Sequence, residues 1–240
     1  MLILGLDTSG KSGGVTLAEG DQSRFHVIAS SPIAGGTFSA QLVPTVAALL
    51  TTNGYAVGDL EGFAVASGPG SFTGLRVGLS AAKGMAEILK QPIATVSILQ
   101  AIADGLMWAA NDSEQHPLCW TMLDASRSQV FLGEYACLHS VAPEMMSESL
   151  IEVSDLAKRI QESGRSLSLA TPDSGLVEAL RHRVEDPFLV NISIVDRPSS
   201  ADIARIGLRK LLAGQTVSIE ALDANYLRRS DAEIFFKGTR

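Results

Sequence analysis

The stretch Ser67 to Arg76, SGPGSFTGLR, concentrates residues whose backbones could do chemistry. Gly68, Gly70 and Gly74 allow close backbone approach and positive φ, Pro69 sets a turn, and Ser71 or Thr73 can cap a following helix. Free N–H groups at a helix start attract anions, which makes Gly68, Gly70 and Ser71 candidate phosphate contacts. The alternative is a tight strand-to-helix turn with no ligand. The spacing is neither GxGxxG nor GxxxxGK[ST], so neither the dinucleotide nor the P-loop reading is supported. A second candidate is the turn Asp7-Thr8-Ser9-Gly10. There the Asp7 carboxylate could orient a hydrated cation while the amides of Thr8 and Ser9 meet phosphate oxygens. Equally, Asp7 and Ser9 could simply satisfy the turn by side-chain to backbone hydrogen bonds.

Other chemistries find little footing. The four histidines, His26, His116, His139 and His182, are dispersed, with no i, i+4 pair to place two imidazoles on one helical face. No serine lies in the strand–GxSxG–helix context of a hydrolase nucleophile. The two cysteines, Cys119 and Cys137, form no CxxC pair and suit a reducing compartment as buried thiols.

The elements that must position these residues follow from periodicity. Leu2 to Leu6 reads as a buried strand, GGVTLAEGD as a second strand ending in a turn, and Phe25 to Ala29 as a third. Helical spacing runs from Ser39 to Asn53, with Leu42, Val46, Leu49 and Leu50 on one face and Gly54 past the end. Pro44 is tolerable there only in or near the first turn. Gly62 to Ala66 reads as a strand, Ser71 to Lys90 as a helix, and Ile93 to Val96 as a further strand.

The second half begins as the first does. One apolar strand ends in Leu6-Asp7-Thr8-Ser9 and another in Leu123-Asp124-Ala125-Ser126, and each is followed by a second strand, Val15 to Ala18 and Val130 to Tyr135. A helix over Ser154 to Glu162 capped by Ser154, a strand over Ser166 to Ala170 and helices over Ser174 to Arg181 and Ser199 to Ala213 complete the pattern. A duplicated βββαβα half is the plan of the actin, sugar kinase and Hsp70 group, two α/β domains facing a cleft. The expected division is 1–98 and 99–198, with the helix over 199–214 packing back on the first domain and 215–240 as a C-terminal tail.

Composition narrows the partners. A chain of 240 residues that is 46% apolar and 19% charged can bury a substantial core. Its formal charge of −7 and lack of a Lys/Arg run give no footprint for gripping nucleic acid unaided. Asp7 interrupts the opening apolar run before a signal-peptide core could form, and no span approaches the roughly 20 apolar residues that cross a bilayer. A soluble cytoplasmic protein is expected.

The chain resembles the TsaB (YeaZ) family. GPGSFTGLRVG at 68 to 78 is similar to that family's hallmark, LGLDTS at the start to its first strand, LDASRSQVFLGEY at 123 to 135 to its second-domain strand pair, and NYLRRSDAE at 225 to 233 to its C-terminal segment. The resemblance implies a non-catalytic scaffold or activator in threonylcarbamoylation of adenosine 37 of tRNAs reading codons that begin with A. It implies binding to a TsaD-type transferase joined by a TsaE-type ATPase, with tRNA met only through the complex. In the catalytic sibling two metal-binding histidines form an HxxxH pair, and alignment places Ile98 and Ile102 there, so no metal is expected. No cofactor is expected either, beyond a nucleotide in the cleft, with Asp7, Thr8, Ser9, Gly68, Gly70 and Ser71 as its candidate contacts, or at the interface of the complex.

A partner surface also leaves a mark in the charge pattern. Between Arg24 and Asp59 there is no Asp, Glu, Lys or Arg, although the segment includes a whole predicted helix. Its outward face carries Gln41, Thr45, Ala48 and Thr52, as suits a helix covered by another. The next helix adds Gly74, Gly78, Ala81, Ala82 and Met85, small or flexible residues that allow close helix approach. These residues are expected to bind the TsaD-type subunit and, without it, to form a homodimer; coverage within the monomer is the alternative. Two competing readings are a sugar-kinase-like phosphotransferase, for which Asp124 offers only a degenerate half-site, and a metallopeptidase. The basic tail residues Arg228, Arg229, Lys237 and Arg240 read as a solvated end.

Overall fold

Strand β1 (Leu2–Asp7) is buried at every position, as a central strand covered on both faces must be. It pairs antiparallel with β2 (Ser12–Gly20), Leu6 opposite Val15, and parallel with β4 (Gly62–Gly68), Leu6 opposite Val65. With β3 (Phe25–Ala34) and β5 (Ile93–Ser97) the sheet order is β3-β2-β1-β4-β5. The period-2 alternation divides its side chains between two helical layers. Leu2, Leu4 and Leu6 enter a core with Leu42, Val46 and Leu50 of α1 (Phe38–Thr52) and Leu75 and Leu79 of α2 (Phe72–Leu89). Where β1 carries Gly5 instead, Ser200 and Ala204 of α6 (Ser200–Leu212) approach the backbone.

The computed structural model describes residues 1–109, 118–136, 143–163, 167–186 and 190–227. The chain divides into two units, 1–98 with 198–226 and 99–197 with 227–240. The second unit contains α3 (Ile98–Ala109) from Leu99 onward, then β6 (Leu118–Asp124), β7 (Gln129–Ala136), β8 (Glu144–Glu152), α4 (Val153–Ser163), β9 (Leu167–Thr171), α5 (Ser174–Arg181) and β10 (Val190–Ile194). Its sheet order, β8-β7-β6-β9-β10, repeats that of the first strand for strand, so the chain is a duplicated α/β fold of the actin-like type. Trp120, Met122, Leu132, Leu156, Ile160, Leu169 and Leu180 form its separate core.

Several local expectations need correction. Pro44 lies in the second turn of α1 rather than the first; Pro44 and Ala40, whose carbonyl it leaves without an amide, are both exposed, so water can satisfy the group. Ser154 does not cap α4, because the helix starts directly off β8 at Val153. Strand β8 escapes pattern reading because EMMSESLIE is an edge strand with no buried position to set an alternation. The start of the expected tail is fastened down: Val217 bridges Ile93, Leu222 is buried, and the Asn225 amide donates to the Ser67 carbonyl at 2.7 Å. Arg228, Arg229, Lys237 and Arg240, with His116, His139 and Cys137, lie outside the described residues. His26 and His182 are exposed and Cys119 is buried. Among the described residues no helix is long and apolar enough to cross a membrane.

Helix α6 begins on a reciprocal cap. The Ser199 amide and hydroxyl donate to Asp202 Oδ2 at 2.9 and 2.8 Å, and Arg205 Nη2 donates to Oδ1 at 2.9 Å. Burial raises the Asp202 pKa, but these hydrogen bonds outweigh it and hold the carboxyl below its ordinary value of 3.8. A depressed carboxylate contributes stability above its unfolded pKa and loses it as pH falls through the folded one. Asp202→Asn should therefore cost about 1 kcal/mol at neutral pH. The difference in urea midpoint should close as pH falls below 3.8; a difference unchanged in acid would contradict this role.

Candidate functional site

Strand β1 delivers Asp7, and the turn after it folds onto the start of α2. Asp7 Oδ1 accepts the Ser9 amide at 2.8 Å, and Asp7, Thr8 and Ser9 are all buried. Strand β4 ends at Gly68 with φ +115, a conformation that calls for glycine. After Pro69 and Gly70, Ser71 caps α2: its Oγ accepts the Gly74 amide at 3.2 Å while its own amide donates to the Ser9 carbonyl at 2.7 Å. A Cβ at Gly70 would stand 2.3 Å from Ser9 O, one at Gly74 2.1 Å from Thr8 O, and one at Gly78 2.4 Å from Thr8 Oγ1.

Asp7, Thr8, Ser9, Gly68, Gly70 and Ser71 are thus brought together, but as a packed joint. The space that a side chain at Gly70 would need is filled by Ser9. Ser9 Oγ is buried with no partner among the described residues. Among the described residues no group of three His, Cys, Asp or Glu could hold a metal. Ile98 and Ile102 on α3 are 0% and 1% exposed, packed as core aliphatics.

The repeat of this turn in the second unit is built differently. Asp124 Oδ1 accepts the Ser126 amide at 2.8 Å, matching Asp7 and Ser9. The Asp124 amide, however, donates to Asp173 Oδ2 at 2.8 Å, so a carboxylate before α5 replaces the glycine contacts. Ser126, Arg127 and Ser128 follow at φ 60, 56 and 59. A Cβ at Gly175, near the start of α5, would meet nothing within 4 Å. Among the described residues the interlock belongs to the first unit alone.

The expected partner residues separate into two groups. Gln41, Ala48 and Thr52 are exposed and Thr45, Ala81 and Met85 half-buried, forming an uncharged outward face. Gly74, Gly78 and Ala82 are buried, and their assignment to a partner surface needs correcting: Gly74 and Gly78 take Thr8, and Ala82 lies in the core cluster. Sequence reasoning missed Val43 and Ile88, 61% and 81% exposed on α1 and α2. It also missed a cluster at the start of α2, where Phe72 and Tyr226 stand with ring centroids 4.9 Å apart. Arg76 lies over Phe72, 3.9 Å from its centroid, and its Nε donates to Tyr226 Oη at 3.1 Å. The i, i+4 spacing of Phe72 and Arg76 was available as a signal; Tyr226, far along the chain, was not.

The model of the family described as TsaD, tRNA N6-adenosine threonylcarbamoyltransferase, matches residues 30–195, more than two-thirds of the chain. The protein named tRNA threonylcarbamoyladenosine biosynthesis protein TsaB of Bacillus subtilis is 27% identical over 97% of this chain and 96% of its own. The protein of that name from Escherichia coli is likewise 27% identical over 97% and 96%. The chain belongs to the TsaD-type family, in its TsaB (YeaZ) branch. Among solved structures, a Pseudomonas aeruginosa protein described as similar to peptidase YeaZ superposes with TM-score 0.72 at 25% identity, covering 95% of this chain and 99% of that one. YeaZ from the same organism gives 0.71 at 23%, covering 94% and 99%, and shares the fold.

The interlock makes a mutational contrast within one TsaB-type helix. Gly74→Ala and Gly78→Ala force α2 off the Thr8 turn and should each destabilise by about 2 kcal/mol or more. At Gly84, exposed on the same helix, an added Cβ meets nothing within 4 Å. Gly84→Ala should stabilise by roughly 0.5–1 kcal/mol. Urea denaturation of the three variants checks this; equal, small effects would mean the glycines are not packing contacts.

Proposed function

We propose that this protein is a partner subunit in tRNA threonylcarbamoyladenosine synthesis. It binds a TsaD-type transferase and, with it, a TsaE-type ATPase, for modification of adenosine 37 of tRNAs reading codons that begin with A. It works in the cytoplasm, supplies a surface rather than a reacting group, and meets tRNA only through the assembly, in keeping with a net charge of −7. The same surface forms a homodimer when the transferase is absent.

The observation that carries this reading is the α1–α2 pair. The hallmark motif spends its glycines on fixing α2 to the Asp7 turn, and the outward face this leaves has uncharged side chains on α1 with Val43 and Ile88 open to solvent. A free helix normally carries charge on its solvent face. Small polar and apolar residues flanked by exposed aliphatics are what a partner helix covers. Other residues fit a binding role better than a reactive one: Ile98 and Ile102 cannot ligate a metal, and the turn of Thr8 and Ser9 packs against the glycines of the motif.

Arginine at Thr45 or Ala48 places a long charged side chain on the face without entering the core. Thr45→Arg or Ala48→Arg should abolish coelution with the TsaD-type subunit while the circular dichroism spectrum and urea midpoint stay at wild-type values. Coelution that survives both substitutions would remove α1 from the interface.

A further inference from the structure

We propose that Arg76 is the charged anchor of this surface, a fork held ready for one carboxylate of the partner protein, and that Tyr226 is the residue that positions it. The proposal rests on the reading of α1 and α2 as a partner face. Helix α1 carries no charge, and α2 carries Arg76, Lys83 and Glu87. Lys83 already interacts electrostatically with Glu220. Arg76 differs. Its Nε is bound to Tyr226 Oη at 3.1 Å, and its guanidinium carbon sits 3.9 Å from the Phe72 centroid and 6.0 Å from that of Tyr226. Its two terminal nitrogens meet no acceptor among the described residues.

Tyr226 can hold the guanidinium because its own backbone is fixed. The preceding Asn225 amide donates to Ser67 O at 2.7 Å, at the end of the strand that delivers the motif, and Leu222 is buried in the first core. The C-terminal segment therefore reaches back across the motif and stiffens a side chain that would otherwise lose much rotamer freedom on binding. An arginine with one nitrogen spent and two parallel N–H groups free is shaped for bidentate contact with a planar anion. A carboxylate fits better than an RNA phosphate, because α1 carries no cation and the one other cation of α2, Lys83, already interacts with Glu220, so the further cations that a nucleic-acid backbone requires are not gathered here. A fixed charge on α2 beside the uncharged face of α1 would set the register in which the partner helix docks.

The test is titration of the TsaD-type subunit with wild type, Arg76→Ala, Arg76→Lys, Tyr226→Phe and Ala48→Arg. Arg76→Ala should weaken binding about 30-fold, as loss of an interface hot spot does. Arg76→Lys should recover little of it, because an ammonium cannot form the fork. Tyr226→Phe, which keeps the ring but frees the guanidinium, should cost about threefold to tenfold. The exposed position of Arg76 means the variants should keep their urea midpoints, which verifies folding. Binding by Arg76→Ala within twofold of wild type would overturn the anchor, and full recovery by Arg76→Lys would overturn the fork. Loss at Ala48→Arg alongside an unaffected Arg76→Ala leaves the face standing without this anchor, whereas no loss at either removes the face itself. Unchanged transferase binding by Arg76→Ala with loss of tRNA binding by the assembled complex would show a phosphate partner and overturn the carboxylate.

Discussion

Everything distinctive about the first unit depends on one contact, the Thr8–Ser9 turn set into the glycine face of α2. Three glycines at 70, 74 and 78 let backbone and hydroxyl atoms come where a methyl group would stand at 2.1 to 2.4 Å. The Ser71 amide to Ser9 carbonyl bond and the Asp7 to Ser9 bond close the joint from either side. Because the turn hangs from β1 and α2 hangs from β4, the joint ties the two central strands to one helix at their common end. Side-chain burial holds the rest of α2, but that contact sets its angle and height.

The consequences run outward from there. With α2 fixed, its opposite side and that of α1 become a stiff two-helix face, and the C-terminal segment can lie across Ser67 and reach Arg76 through Tyr226. The second unit shows what the fold does without the joint. It keeps the strand order and the Asp124 turn, yet uses the Asp173 carboxylate in place of glycines and continues through three left-handed residues. Duplication supplied two frames. On the proposed reading, one was shaped into a docking surface.

Much of this was legible in the sequence, for identifiable reasons. The strands with continuous apolar runs and the helices bounded by Ser71, Lys90, Ser199 and Gly54 announce themselves through burial pattern and end chemistry. The repeated Leu-Asp-x-Ser strand ends lead to a duplicated fold, and the two sheets have the same order. What failed was direction. Glycine spacing says that something comes close, not whether it is a phosphate, a partner helix or the chain's own turn, and at Gly70, Gly74 and Gly78 it is the chain's own turn. Edge strand β8 carries no buried alternation, and the Arg76–Tyr226 pair is separated by 150 positions, so neither leaves a local signature. Uncharged Gln41, Thr45, Ala48 and Thr52 were readable because absence of charge on a helix is itself local.

The central claim is that this chain acts by its surface on a transferase that does the chemistry. Threonylcarbamoyl transfer to tRNA, reconstituted from the TsaD-type and TsaE-type subunits with and without this protein, tests that most directly. The account predicts transfer that is sustained when the chain is present and lost when it is left out. Transfer that proceeds equally well without it would contradict the account.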